Sequence, residues 1–162
     1  MEYRTTYPSP LGELTLASDG AALTGLWIKG QKYFGGSAKL WEVKRDLPVF
    51  AAAALWLDAY FAGEEPEPED LPLAPSGTDF RQLVWQELCT IPYGTTVTYG
   101  ELAERIGCAS ARAVGTAVGR NPISIIIPCH RVLGADGSLT GYAGGIDCKR
   151  WLLEHEEMSR QW

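Results

Sequence analysis

The sequence predicts an α+β fold: a small β-containing N-terminal lobe, then a mostly helical C-terminal lobe with a helix-turn-helix. Three observations lead there. The first thirty residues fall into short strand-like runs. Residues 63–77 (GEEPEPEDLPLAPSG) form a Pro- and acid-rich break. Beyond it, apolar residues recur at helical spacing, and two short helices meet at a Gly-containing turn. A chain of 162 residues suits one compact domain or two small lobes. The break divides it into residues 1–76 and 77–162. Each lobe alone would be marginally stable, so a shared interface is expected.

Glu2 to Tyr7, Glu13 to Ser18 and Ala22 to Ile28 read as strands, with Ser18-Asp19-Gly20 as a hairpin turn. Gly30 to Gly36 reads as loop. Pro48 to Ala62 reads as a helix burying Phe50, Ala54, Leu57 and Phe61, with Pro48 near its start and Gly63 past its end. The break at 63–77 is expected to be a linker with too few apolar residues to join a core. Thr78 caps a helix with Phe80, Leu83, Val84 and Leu88 on one stripe. Thr98 and Glu101 form a capping box for a helix running through Ile106 and ended by Gly107. A second helix runs from near Ser110 to about Gly119, where Asn121-Pro122 stops it. Ile123 to Ile127 reads as a buried extended run leading into Pro128-Cys129-His130-Arg131-Val132. Ala135 to Ser138 reads as a tight turn, Gly141 to Gly145 as a loop permissive of close approach, and Ile146 to about Met158 as a last helix.

Several classes are excluded. Hydrophobic content of 46% with 21% charged residues excludes a disordered or fibrous chain. The longest apolar run, Val49 to Leu57, is far too short to span a membrane. The opening Met1-Glu2-Tyr3-Arg4 has no apolar stretch, which predicts no signal peptide and a chain that stays in the reducing cytoplasm. Cys89, Cys108, Cys129 and Cys148 form no close pair, and there are two histidines, so neither a metal site nor a disulfide framework is expected. Net charge is −6, which taken whole argues against nucleic acid. Its distribution reverses that reading. Residues 1–76 carry 6 basic and 11 acidic side chains, whereas 105–135 hold Arg105, Arg112, Arg120 and Arg131 and no acid. Local potential governs docking, so a basic surface is expected there.

Cys129 is either a buried structural cysteine or a reactive thiol. The adjacent proline and the cationic or cationisable His130 and Arg131 favour a nucleophilic thiolate. In an extended segment, neighbouring residues face opposite ways, so exchange of a proton between Cys129 and His130 needs a bend or a bridging water. Glu156 shares a helix face with Leu152 and Leu153. It is a partner orienting a base, or a solvated charge of the acidic stretch 154–157. Arg112 is a surface arginine or a group reaching nucleic acid from the second helix. Tyr99 is a core aromatic or a donor to a ligand.

Taken together, Ile127-Pro128-Cys129-His130-Arg131-Val132 after Gly119-Arg120-Asn121-Pro122 resembles the active-site signature of the O6-alkylguanine-DNA alkyltransferases. Residues 91–103 (IPYGTTVTYGELA), 111–115 (ARAVG) and 142–156 (YAGGIDCKRWLLEHE) resemble the same family in order and spacing. The resemblance covers about residues 77–157 and is loose in the first lobe. It implies repair of double-stranded alkylated DNA by stoichiometric, irreversible transfer of an alkyl group from O6-alkylguanine to Cys129, with O4-alkylthymine as a second candidate lesion. It further implies that His130 takes the thiol proton through a water and that Glu156 orients His130. Tyr99 would donate to N3 of the base. Asn121 would join the recognition helix to the active-site segment. Arg112 would fill the stack left by the flipped nucleotide, with Thr98, Ala111 and Arg120 also at the DNA face. Ser124, Val132, Tyr142 and Ala143 would line the base pocket.

The helix-turn-helix would lie in the minor groove. No cofactor or metal is implied, since no Cys or His precedes Cys89 where some members hold zinc. A monomer with no membrane partner is expected. Ser124 stands where some members have proline, and Ala143 where some have serine. Two alternatives belong to other classes: an alkyltransferase-like protein that binds the lesion without transfer, against which Cys129 argues, and a Cys-His-Glu thiol hydrolase, which would need an oxyanion hole.

Overall fold

The structure, a computed structural model, describes residues 2–31, 41–139, 142 and 144–160. Of the expected loop Gly30 to Gly36, residues 32–36 lie outside this set, as do Gly141 and Ala143.

Strands β1 (Glu2–Ser9), β2 (Gly12–Ser18) and β3 (Leu23–Ile28) form an antiparallel meander. A short β4 (Trp41–Val43) adds in parallel beside β1, giving the order β3-β2-β1-β4. The three expected strands are present. β4 is too short to carry a periodic signal of its own, and only its partner makes it a strand.

Helix α1 (Pro48–Phe61) starts with Pro48 in its first turn, where the missing N–H costs nothing. It buries Val49, Phe50, Ala53, Trp56, Leu57 and Tyr60. The expected stripe is thus turned: Ala54 and Phe61 are only half-buried. The run is apolar nearly all round, so periodicity leaves the face undetermined and tertiary packing selects it.

The break at 63–77 is not a free linker. Pro68 begins a single 3-10 turn (Pro68–Asp70) and is buried, as is Leu71. The Trp56 indole N–H donates to the Glu67 carbonyl at 2.8 Å. Leu23 N–H donates to Pro72 O and Ala74 N–H to Leu23 O, both at 2.8 Å. The segment therefore docks along the free edge of β3. Its few apolar residues suffice because backbone hydrogen bonds supply the rest.

Helix α2 (Asp79–Leu88) has the expected Thr78 cap, whose hydroxyl accepts from Arg81 N–H. Its buried face is Val84, Trp85 and Leu88, while Phe80 and Leu83 stay exposed. Trp85 turns the helix inward, its indole N–H donating to Ala117 O at 2.9 Å. The helix-turn-helix is formed by α3 (Tyr99–Arg105), with the full Thr98/Glu101 capping box, and α4 (Ala111–Gly119), capped by Ser110. Gly107 between them takes φ +70, a conformation that side chains resist. The last helix, α5, spans Ile146–Arg160. Among the described residues, no helix is long and apolar enough to cross a membrane.

Two long-range pairings position the site. Leu26 N–H donates to Pro122 O, and Ser124 N–H to Leu26 O, at 2.8 and 3.0 Å. The segment that leads to Cys129 is thereby pinned to the β3 edge of the N-terminal lobe. Strands β5 (Val97–Thr98) and β6 (Val132–Leu133) pair in parallel. That pairing sets Tyr99, the first residue of α3, beside the Cys129 segment.

Candidate active site

The approach to Cys129 is not extended. Residues 123–127 form a compact buried turn in which Ile125 has φ 72. A β-branched residue in that region costs about 1–3 kcal/mol. Asn121 holds the turn in place. Its Nδ2 donates to Ile123 O at 3.2 Å and Ile127 O at 2.9 Å, and its Oδ1 accepts from Ile123 N–H at 3.0 Å. Local side-chain bonds to the backbone outcompete the extended form. Asn121→Ala leaves these buried groups unpaired and should destabilise the protein by about 2 kcal/mol or more, measurable by denaturant unfolding. Wild-type stability in that variant would show that the turn stands without its staple.

Cys129, His130 and Arg131 then form a single 3-10 turn. This is the bend that the sequence requires between thiol and imidazole. All three residues are buried, His130 completely.

Glu156 is the hub. It is 1% exposed, which removes the solvated-charge reading. Its Oε2 lies 2.5 Å from His130 Nε2 and accepts from Tyr60 Oη at 2.8 Å and Arg131 Nη2 at 3.1 Å. Its Oε1 accepts from Arg131 Nε at 2.8 Å and Gly94 N–H at 3.0 Å. Gly94 has φ +74, which lets its N–H point inward from the turn. Arg131 also donates to Ile91 O at 2.8 Å and lies over the Tyr93 ring.

Burial alone would raise the Glu156 carboxyl, but His130 and Arg131 together hold it well below the usual carboxylate range. Burial holds His130 below its ordinary value, against the pull of Glu156. A neutral imidazole facing a carboxylate through Nε2 must carry its proton there, so Nδ1 bears the lone pair. Among the described residues, Nδ1 has no protein hydrogen-bond partner. It is the free base of the pair.

The thiol is not poised as the sequence alone predicts. Burial raises the Cys129 thiol, with the Asn121 side chain and the Lys149 charge opposing it in part. Arg131 is committed to Glu156 and His130 is neutral, so the two adjacent cationic residues do not generate a resting thiolate. The resting nucleophile is a thiol beside a base, to be deprotonated as it attacks.

Lys149 and Tyr60 were not singled out by sequence reasoning. Lys149 is fully buried, and its Nζ donates to Val132 O at 2.5 Å and lies 5.9 Å from the centre of the Tyr99 ring. Burial lowers it to about 8, with Cys129 pulling the other way. Spacing gave one available signal: 149, 152 and 156 lie on one face of α5. For Tyr60, 96 residues before Glu156, no local signal exists.

The other candidates divide into two groups. Ser124 and Tyr142 are buried near Cys129, with Ser124 Oγ 3.4 Å from Gln31 Oε1 of the N-terminal lobe. Tyr99 is half-buried, its ring 3.6 Å from the position that a Cβ on Gly115 would occupy. Ala111, Arg112 and Arg120 are exposed along α4 and its end. Thr98 is engaged as a helix cap. Ala143 lies outside the described residues. The acid-free stretch also resolves differently from the expected basic surface. Arg131 is buried in an ion pair, whereas Arg105, Arg112 and Arg120 are exposed, with Arg105 4.0 Å from Glu87.

A buried thiol, an adjacent imidazole–carboxylate pair and a helix-turn-helix define a thiol protein built around a helix-turn-helix scaffold. The comparisons with known proteins make that particular. Residues 2–75 match the family model described as 6-O-methylguanine DNA methyltransferase, ribonuclease-like domain, and residues 79–158 match the DNA binding domain of the same name. The chain is 53% identical over 158 residues to a methylated-DNA–protein-cysteine methyltransferase of Mycobacterium tuberculosis, covering 97% of this chain and 93% of the relative. It is 48% identical to one of Haemophilus influenzae, covering 96% and 87%. A crystal structure of Mycobacterium tuberculosis OGT in complex with DNA superposes with a TM-score of 0.87 at 51% identity, covering 97% of this chain and 94% of that one. The chain belongs to the 6-O-methylguanine DNA methyltransferase family.

Proposed function

We propose that this protein repairs DNA by moving an alkyl group, foremost methyl, from O6 of guanine to its own Cys129, once per chain and irreversibly. The observation that carries this reading is the buried Cys129 thiol beside a His130 whose Nε2–H is committed to Glu156, leaving Nδ1 as the free base. Attack on an alkyl carbon is an in-line displacement. The S–C bond forms as the C–O6 bond breaks, the thiol proton passes through water to His130 Nδ1, and guanine leaves as its anion, which then takes up a proton from solvent. No oxyanion hole for a tetrahedral intermediate is needed, which separates this chemistry from thiol hydrolysis.

The remaining residues take roles around that step. The Tyr99 hydroxyl donates toward N3 and eases departure of the base. The carbonyls of Cys129 and Val132 accept from the exocyclic amine. A carbonyl has two lone pairs, so Val132 serves both this contact and Lys149. Ser124 and Tyr142 bound the pocket. Residues 77–162 are the DNA-binding and acceptor part, and 1–76 brace it. The target atom lies inside the duplex, so the nucleotide is extruded and Arg112 fills the gap. Docking is in the minor groove, by a monomer. The reducing cytoplasm suits four free thiols.

The deciding experiment is a mass spectrum after incubation with duplex DNA carrying O6-methylguanine. One methyl per chain on the Cys129 peptide is expected. Repeated turnover at substoichiometric protein, or methyl on Cys148, refutes the reading.

Arg112 gives a separate prediction. Arg112→Ala should slow repair of duplex far more than reaction with the free base, because only the duplex carries an unstacking cost of a few kcal/mol. With Arg131 of the stretch turned inward, the log–log salt slope of binding should be shallow, at about −0.9 per phosphate neutralised. Equal losses on duplex and free base would place Arg112 in support of the fold instead.

A further inference from the structure

Glu156 receives hydrogen bonds from four residues. His130, Arg131 and Gly94 belong to the C-terminal lobe, and Tyr60 comes from α1 of the other. The Tyr60 hydroxyl falls on Oε2, the same oxygen that faces His130 Nε2. Tyr60 is itself immobilised. It is fully buried. Its ring stacks on Trp56 with centroids 5.8 Å apart and meets Phe61 and Tyr93 edge-on at 5.3 and 5.9 Å. Its backbone carbonyl accepts from His155 Nε2, one residue before Glu156 on α5, at 2.7 Å. The side chain and backbone of one residue therefore grip two successive residues of the last helix.

We propose that Tyr60 is a positioning residue for alkyl transfer: through its hydroxyl, the N-terminal lobe holds the Glu156 oxygen that orients His130 and shares its negative charge. The inference rests on the reading of Cys129, His130 and Glu156 given above. Its physical content is electrostatic as well as geometric. A hydroxyl donating to Oε2 draws charge from the oxygen that His130 senses. Without it, the carboxylate stabilises imidazolium more strongly, and His130 holds a proton up to higher pH. A protonated His130 cannot accept the thiol proton, so the acidic limb of the rate profile moves upward. The other groups facing His130 are Arg131 and Lys149, which oppose its charging, and Cys129 at its side. Tyr93 packs on Arg131 and Tyr60. All of these remain in place when the Tyr60 hydroxyl alone is removed.

The test is single-turnover methyl transfer from O6-methylguanine duplex, followed across pH with protein in excess. Wild type comes first. If it takes no methyl on Cys129, the parent reading fails, and with it the basis of this inference. Tyr60→Phe keeps the ring contacts and removes the donor. Its acidic limb should move up by about half a pH unit or more, a fraction of the roughly 1–2 units that one hydrogen bond to a charged group represents, because the hydroxyl acts on His130 through the carboxylate. Trp56→Phe loosens the packing around Tyr60 but keeps the hydroxyl. It should lower the melting temperature and leave the limb where it is. A fluorotyrosine introduced at position 60 donates more strongly and should move the limb down. An unmoved limb in Tyr60→Phe, or an equal shift in Trp56→Phe, overturns the proposal. If Tyr60→Phe does not fold, the fluorotyrosine arm decides alone, and an unmoved limb there overturns it.

Discussion

Cys129→Ala should abolish methyl acceptance completely while lesion-bearing duplex is still bound. The substitution removes one sulfur atom from a buried pocket and touches nothing on the exposed start of α4, where Ala111 and Arg112 lie. The other cysteines do not take over. Burial raises the Cys89 and Cys148 thiols as it raises that of Cys129, but only Cys129 is followed in the chain by an imidazole that can take its proton. The Cys108 sulfur is engaged with the backbone of Ser110 at 3.5 Å. Intact-mass spectrometry of the variant after incubation with O6-methylguanine duplex, paired with a binding titration, gives both halves of the result. Methyl still arriving on the variant would mean that another residue is the acceptor. Loss of binding together with transfer would tie the thiol to the DNA face itself.

The second large effect belongs to Glu156→Gln. The proton relay predicts slower transfer, by about 10²–10⁴-fold, since a misoriented or less basic imidazole removes the proton-transfer contribution. The substitution should also cost stability. Five donor groups point at this carboxylate. A glutamine amide brings its own N–H groups against Arg131 or His130 and leaves Arg131 a buried cation without its counter-charge. Breaking one side of a buried pair costs about 3–5 kcal/mol, so the melting temperature should fall with the rate.

The pH dependence follows from the same contacts. Glu156 ionises more easily folded than unfolded, so its stabilisation is complete above the usual carboxylate range and is lost as pH falls through that range and below it. His130 is buried neutral and held below its ordinary 6.5, so the unfolded chain binds its proton first and stability also falls on acidification below about that pH. Both effects have the same sign. Wild-type stability should decline toward acid, and Glu156→Gln should flatten that decline at its lower end. A variant whose melting temperature tracks that of wild type at every pH would show that the carboxylate contributes no linkage.

Much of the local structure was legible from residues in order. The caps at Thr78 and Thr98, the capping box with Glu101, the helix start near Ser110, the break at Gly107 and the turn at Ala135 to Ser138 all stand where expected. The segment around Cys129 was legible as a site because its residue types are unusual together. Less was legible about faces and charges. Helix α1 is apolar on several sides, so its orientation waited for the sheet. Arg131 reads as a surface cation beside a thiol, yet the structure spends it on a carboxylate 25 positions away. The Pro-rich break reads as a linker, yet its backbone completes the edge of β3.

What the sequence by itself determined is therefore whatever a few consecutive residues can enforce: helix ends closed by side chains three positions apart, turns that need glycine, and a thiol flanked by an imidazole and a guanidinium. What only the tertiary structure decided is the protonation and orientation of that thiol's surroundings. Tyr60 reaches Glu156 across 96 positions, and Leu26 grips both flanks of Ile123 across at least as many. Contacts of that separation carry no local signature, because their energy depends on burial and on the neighbouring dielectric rather than on adjacent residues. Only after the lobes have closed does Glu156 become a buried anion, His130 a neutral base and Cys129 a thiol that waits to be deprotonated.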